Sequence, residues 1–111
     1  MKTFQGWGAA PGIVTGRACW ETNNNYADVI TGDILLMEMT TPAIMNVIDN
    51  IVGIVTMVGG ITCHAAVIAR ELNIPTVVAC KDIGGIGGIN TGDLIQLDGS
   101  TGVVTVLEAK Q

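Results

Sequence analysis

Residues 51–72 read "IVGIVTMVGGITCHAAVIAREL". The run from Ile51 to Val58 is almost continuously apolar and too short for a long helix, so it fits a strand covered on both faces. Gly59 and Gly60 punctuate its end. From Cys63 to Leu72 every residue is a tolerable or good helix former, with alanines at 65, 66 and 69. Asn73 and Pro75 stop that helix. The stretch therefore reads as strand, glycine pair, helix.

Outward from it the same alternation continues. On the amino-terminal side, "PGIVTGRACW" (11–20) is a strand entered through a Pro-Gly turn, and "ETNNNYAD" (21–28) is a polar loop. "TGD" (31–33) turns into "ILLMEM" (34–39), a short buried strand. "TTPAIMNVIDN" (40–50) carries a helix signature. Thr40 or Thr41 can cap it, Pro42 suits its first position, and Ala43, Ile44, Val47, Ile48 and Ile51 share one face. On the carboxyl side, "TVVAC" (76–80) is a strand and "DIGGIGGINTGD" (82–93) a glycine-rich connection. "DLIQLD", "GSTG" and "VVTVL" make a terminal β-hairpin with a four-residue loop. No internal repeat stands out and no linker divides the chain, so residues 1–111 form one expected domain. Strands followed by helices favour an α/β layered fold.

Composition narrows the function. With 49% hydrophobic residues the chain is no disordered segment. Its net charge is −5, and Lys2, Arg17, Arg70, Lys81 and Lys110 are scattered. Nucleic-acid binding rests on clustered Lys and Arg, so it is not expected. No apolar run approaches the ~18 residues of a membrane span. "MKTFQGWGAAPG" has no apolar core of a signal peptide, so the cytoplasm is the expected location. Three cysteines, Cys19, Cys63 and Cys80, without CxxC spacing argue against a disulfide framework or structural zinc. Cys19 and Cys80 lie in apolar runs and read as core residues.

The chemistry concentrates around His64, the one histidine in the chain. The first N–H groups of a helix lack intrahelical partners, and the dipole there favours an anion. Gly59 and Gly60 allow close backbone approach, and Thr62 adds a hydroxyl. A neutral imidazole beside such a cradle suits covalent phosphoryl transfer. Three readings stand side by side: nucleophile, metal ligand, or a residue that merely begins a helix. Metal binding is the weakest. Cys63 and His64 are adjacent and point about 100° apart on a helix, with no further ligands clustered in sequence, so no metal site is expected. Cys63 could be a nucleophile with a thiol pKa lowered at a helix N-terminus, but no second histidine exists to serve as its base. "GGIGGI" (84–89) is neither a P-loop nor GxGxxG. Asp33, Asp93 and Asp98 each adjoin a glycine and read as turn residues, not as a pair of catalytic carboxylates.

"GGITCHAAVIARELNIPTVV" (59–78) closely resembles the phosphohistidine signature of the PEP-utilizing enzymes, the family of phosphoenolpyruvate synthase, pyruvate phosphate dikinase and Enzyme I. The version with Cys63 looks most like phosphoenolpyruvate synthase. "GWGAAPGIVTGRA", "GDILLMEMTTPAIM" and "TGDLIQLDGSTGVV" are similar to the family's flanking segments, so the likeness runs from about Gly6 to Val106. The resemblance implies a swivelling β/β/α three-layer phosphohistidine domain. It implies His64 as the residue that accepts a phosphoryl group from ATP or phosphoenolpyruvate and passes it to a second site. Gly59, Gly60, Thr62 and Cys63 match the surrounding phosphate site. It further implies an ATP-grasp nucleotide-binding domain, with ATP and Mg, and a TIM-barrel phosphoenolpyruvate/pyruvate domain as partners, on the same protein or on separate chains. No cofactor is implied in this chain, which would be a component of a phosphotransferase and not a complete enzyme. The alternative is a non-catalytic binding or regulatory swivelling module. Three departures stand out: apolar Met57 and Val58 before the glycines, Ile61 where arginine is frequent, and "DIGGIGGIN" in place of a more polar stretch. Arg70, about 240° round the helix from His64, reads as half of a structural ion pair.

Overall fold

The computed structural model describes residues 2–21, 26–39, 42–59 and 64–110. Its strands are β1 (Lys2–Gln5), β2 (Trp7–Ala10), β3 (Ile13–Trp20), β4 (Asp33–Met37), β5 (Ile51–Thr56), β6 (Thr76–Val78), β7 (Leu94–Asp98) and β8 (Val103–Glu108). One α-helix, α1, covers His64–Glu71, and short 3₁₀ helices cover Pro42–Asn46 and Lys81–Ile83. The strand order is β1-β8-β7-β3-β4-β5-β6-β2. Strands β3 to β6 run parallel, and every other pairing is antiparallel.

This sheet folds over on itself into two layers, because two segments belong to both. In β3, Ile13–Arg17 pair with β7 while Ala18–Trp20 pair with β4. At the far edges β1 pairs with β8 and β2 with β6. Gly6 joins β1 to β2, and its N–H donates to the Gly102 carbonyl at 2.8 Å. Both crossovers need glycine on steric grounds. A Cβ on Gly16 would lie 2.5 Å from the Gly32 carbonyl oxygen, and one on Gly6 would lie 2.6 Å from that of Val78.

Alternation along each strand sorts the core. On β4, Ile34 and Leu36 point between the two strand layers, where they meet Val55, Val77, Ile95, Leu97 and Val104. Leu35 and Met37 point the other way, to Ile44, Ile48, Ile54 and Ala69. That second face is covered by α1 and by the 3₁₀ segment. The result is a β/β/α three-layer fold. The all-buried strand β4 has its apolar run because both of its faces are covered.

Several expectations hold residue by residue. The terminal hairpin has its four-residue loop at 99–102, between Asp98 and Val103. Helix α1 ends as Asn73 and Pro75 foretell. Asn73 takes the left-handed conformation (φ +57°) and the Ile74 N–H returns to the Ala69 carbonyl at 2.9 Å, a Schellman closure. Two expectations need correction. The helix expected over 40–50 is a 3₁₀ helix of five residues followed by turns, with i→i+3 bonds from Val47 to Ile44 and from Asn50 to Val47. Asn46, Asp49 and Asn50 are weak helix formers, and the Asn50 carbonyl is taken by the Gly32 N–H. The apolar face survives, with Ile44, Val47, Ile48 and Ile51 buried. The caps Thr40 and Thr41 lie outside the described residues. Strands β1 and β2 were not foreseen.

Candidate functional site

A parallel strand–helix–strand unit places the start of its helix at the carboxyl edge of the sheet, since the helix runs back against the strands. Here β5 leads to α1 and α1 to β6, so His64, the first residue of α1, stands at the carboxyl end of the parallel layer. Helix α1 is seated by alanines. Ala66 packs with Ala9 of β2 and Val78 of β6, and Ala69 packs into the core beneath with Leu35 and Ile54. Their small size lets the helix lie close to the strands.

The segment leaving β5 is held from three sides. The Met57 N–H donates to the carbonyls of Met37 (3.0 Å) and Glu38 (3.2 Å), and the Val58 N–H donates to that of Glu38 (2.9 Å). The Thr56 carbonyl accepts from the Cys80 N–H at 2.9 Å. The Thr56 hydroxyl, fully buried, donates to the Val58 carbonyl at 2.8 Å. The chain then reaches Gly59 at φ +112°, a conformation that side chains rarely adopt. Of the residues expected to cradle a phosphate, Gly59 therefore has a backbone reason to be glycine. Gly60, Thr62 and Cys63, with Ile61, lie outside the described residues, and for His64 the description is of its backbone.

Arg70 is a fold-holding residue. Its Nη1 donates to the Ala9 carbonyl at 2.9 Å. Ala9 sits at the irregularity in the β2–β6 ladder, on the outermost strand, so this bond covers part of an open sheet edge. The two described cysteines are free and buried. Burial pushes the Cys80 thiol up to about 11, helped by the nearby Asp82 charge, and burial together with Asp33 raises Cys19. The three glycine-adjacent aspartates are turn residues, as their sequence context implies. Asp33 and Asp93 accept backbone N–H groups of Ile30 and Asn90, and Asp98 accepts those of Ser100 and Thr101. Sequence reasoning overlooked Thr56. A hydroxyl residue at the end of an otherwise apolar strand, three residues before a glycine pair, was the available signal.

With this geometry in place, the sequence matches the family model described as "PEP-utilising enzyme, mobile domain" over residues 29–102. The chain belongs to the PEP-utilising enzyme mobile-domain family. A probable phosphoenolpyruvate synthase of Archaeoglobus fulgidus is 38% identical over 102 residues, covering 91% of this chain and 13% of the relative. A rifampicin phosphotransferase of Bacillus subtilis is 37% identical over 95 residues, covering 86% of this chain and 11% of the relative. Among solved structures, an NMR solution structure of an Enzyme I protein superposes with a TM-score of 0.61 at 31% identity, over 78% of this chain and 34% of that one. The mobile-domain chain thus spans only about an eighth of the length of these curated relatives. Among the described residues no helix is long and apolar enough to cross a membrane.

Proposed function

We propose that this chain is a phosphoryl-carrier domain and that His64 carries the group. A ring nitrogen of neutral His64 attacks the phosphorus of ATP or phosphoenolpyruvate. The new N–P bond forms as the P–O bond to the leaving group breaks, and the displaced ring proton passes to solvent. At the second site an acceptor oxygen attacks the same phosphorus and the imidazole leaves. Gly59, Gly60, Thr62 and Cys63, with the first amides of α1, hold the phosphoryl oxygens. The donor and acceptor sites belong to an ATP-grasp domain, which would bring ATP and Mg, and to a TIM-barrel phosphoenolpyruvate/pyruvate domain. The rifampicin-phosphorylating relative makes another acceptor a real option for this chain. The setting is the cytoplasm.

One observation carries the reading: the residue that the family resemblance marks for phosphorylation opens α1 at the sheet's carboxyl edge, where the first helix amides lack intrahelical partners. The test is labelling. Incubation with an ATP-grasp or barrel partner and labelled ATP or phosphoenolpyruvate should leave an acid-labile, base-stable label on the chain. A label that persists in His64→Ala, or none under any donor, overturns the proposal, and the latter favours a binding module.

A further inference from the structure

We infer that Thr56 is a positioning residue for the phosphoryl-bearing loop: its hydroxyl fixes the course of the chain into Gly59, and so sets where a phosphoryl group on His64 meets the amides of α1. The inference rests on the carrier reading and goes one step deeper.

Thr56 is one of four buried polar residues among those described, with Asp33, Thr76 and Asp93. Asp33 and Asp93 bond within their turns and, beyond them, to Arg17 and to the Lys110 N–H, and Thr76 bonds back to Ile74 before the start of β6. Thr56 bonds forward into the segment that leads to His64, from the last position of β5 to the Val58 carbonyl beside Gly59. The N–H groups of Met57 and Val58 are already committed to Met37 and Glu38, and the Thr56 carbonyl to Cys80. The hydroxyl supplies the remaining constraint on the direction in which the chain leaves the sheet. A phosphoryl group is stabilised by amides only when they are aimed at its oxygens, so an unfixed approach weakens the cradle without unfolding the domain.

Thr76 gives an internal control. Its hydroxyl makes the same kind of bond, to the Ile74 carbonyl at 2.9 Å, but at the amino end of β6 and directed away from His64. Valine is isosteric with threonine and favours strands, so Thr56→Val and Thr76→Val each remove one hydroxyl and keep the shape.

Phosphoramidate serves as the probe, since it needs no partner protein. A His64 nitrogen attacks its phosphorus, the P–N bond to the amino group breaks and ammonia leaves. With one histidine in the chain, ³¹P NMR then follows a single phosphohistidine as water attacks the phosphorus, releasing inorganic phosphate and the protonated ring. In the folded chain this loss should be slower than in the same chain unfolded in urea. Thr56→Val should accelerate it about fivefold, the equivalent of one ordinary hydrogen bond. Thr56→Ser should restore the original rate, and Thr76→Val should leave it unchanged while costing similar stability. Thr56→Ala provides a second reading if the valine variant folds poorly. Equal rates for Thr56→Val and the parent, or equal acceleration by Thr76→Val, overturn the inference. A parent chain that loses phosphate as fast folded as unfolded overturns the carrier site itself, a different and separable result.

Discussion

The turns at Thr31–Asp33 and Thr91–Asp93 share three residues and nearly one geometry. In each the glycine is left-handed, at φ +95° for Gly32 and +102° for Gly92. In each the aspartate N–H donates to the carbonyl three residues back, Ile30 or Asn90, at 3.1 Å. In each the carboxylate Oδ2 accepts the N–H of that same residue at 2.9 Å. They part at Oδ1. Asp33 Oδ1 accepts Arg17 Nε at 3.0 Å, and Arg17 Nη2 also reaches Oδ2 at 2.7 Å and the Asp28 carbonyl at 2.9 Å. Asp93 Oδ1 accepts the Lys110 backbone N–H at 2.8 Å. The tripeptide dictates the turn, and the rest of the fold chooses what the spare oxygen does. One turn becomes a charge-assisted clamp on β3, which also holds the Arg17 guanidinium more firmly protonated. The other ties down the segment after β8. The two turns head β4 and β7, the two neighbours of the shared strand β3.

Substitutions can break this comparison in order of size. Asp33→Ala should lose most, about 2–3 kcal/mol, because a buried carboxylate leaves Arg17 and the Ile30 N–H without their partner. Asp93→Ala should lose less, about 1–2 kcal/mol, since it forfeits two bonds from neutral backbone N–H donors and strands no charged partner. Urea midpoints at neutral pH measure both, and a larger loss for Asp93 would overturn the ranking. Gly32→Ala and Gly92→Ala should each cost about 1 kcal/mol, for the left-handed backbone alone. A Cβ on Gly32 meets nothing within 4 Å, whereas the nearest atoms to one on Gly92 are those of the flexible Lys110 stem. Unequal thermal shifts for this pair would mean that the stem cannot move aside. Asp98 makes the smallest test. Its exposed carboxylate, held below the usual aspartate range by the Ser100 and Thr101 amides, stabilises the fold above the unfolded aspartate pKa. That contribution vanishes as pH falls through the lower folded value. The stability gap between the parent and Asp98→Asn should therefore close across that acid window, and a pH-independent gap would refute the assignment.

The legible parts of the sequence are those where local signals suffice. The terminal hairpin has strict alternation and a glycine-bounded loop, and α1 has its alanines and its Asn73–Pro75 stop. β4 and β5 have runs that only two-sided burial explains. Strands β1 and β2 were illegible because "KTFQGWGAA" has little alternation and is broken by glycines. They exist because β8 and β6 offer them ladders, and because Gly102 receives the Gly6 amide. The 3₁₀ segment misled for a related reason: its apolar spacing is helical, but the demands of β4 and β5 on either side shorten it. At the site, His64 in the first turn of its helix and the break in the chain at Gly59 could be read from the residues, whereas the left-handed backbone of Gly59 could not. The hold of Thr56 on Val58 could not, because it depends on where the chain turns after the strand.

The strands shared between layers have a mechanical consequence. In an ordinary sandwich of two separate sheets the layers can slide, and a residue at the rim of one drifts relative to the other. Here β3 and the β1–β2 segment are each continuous through both layers, on opposite sides of the molecule. Shear between the layers would break hydrogen-bonded ladders at both seams at once. The carboxyl edge of the parallel layer, where α1 begins, is therefore held in register with the second layer, and a large shift of that edge has to carry both layers together.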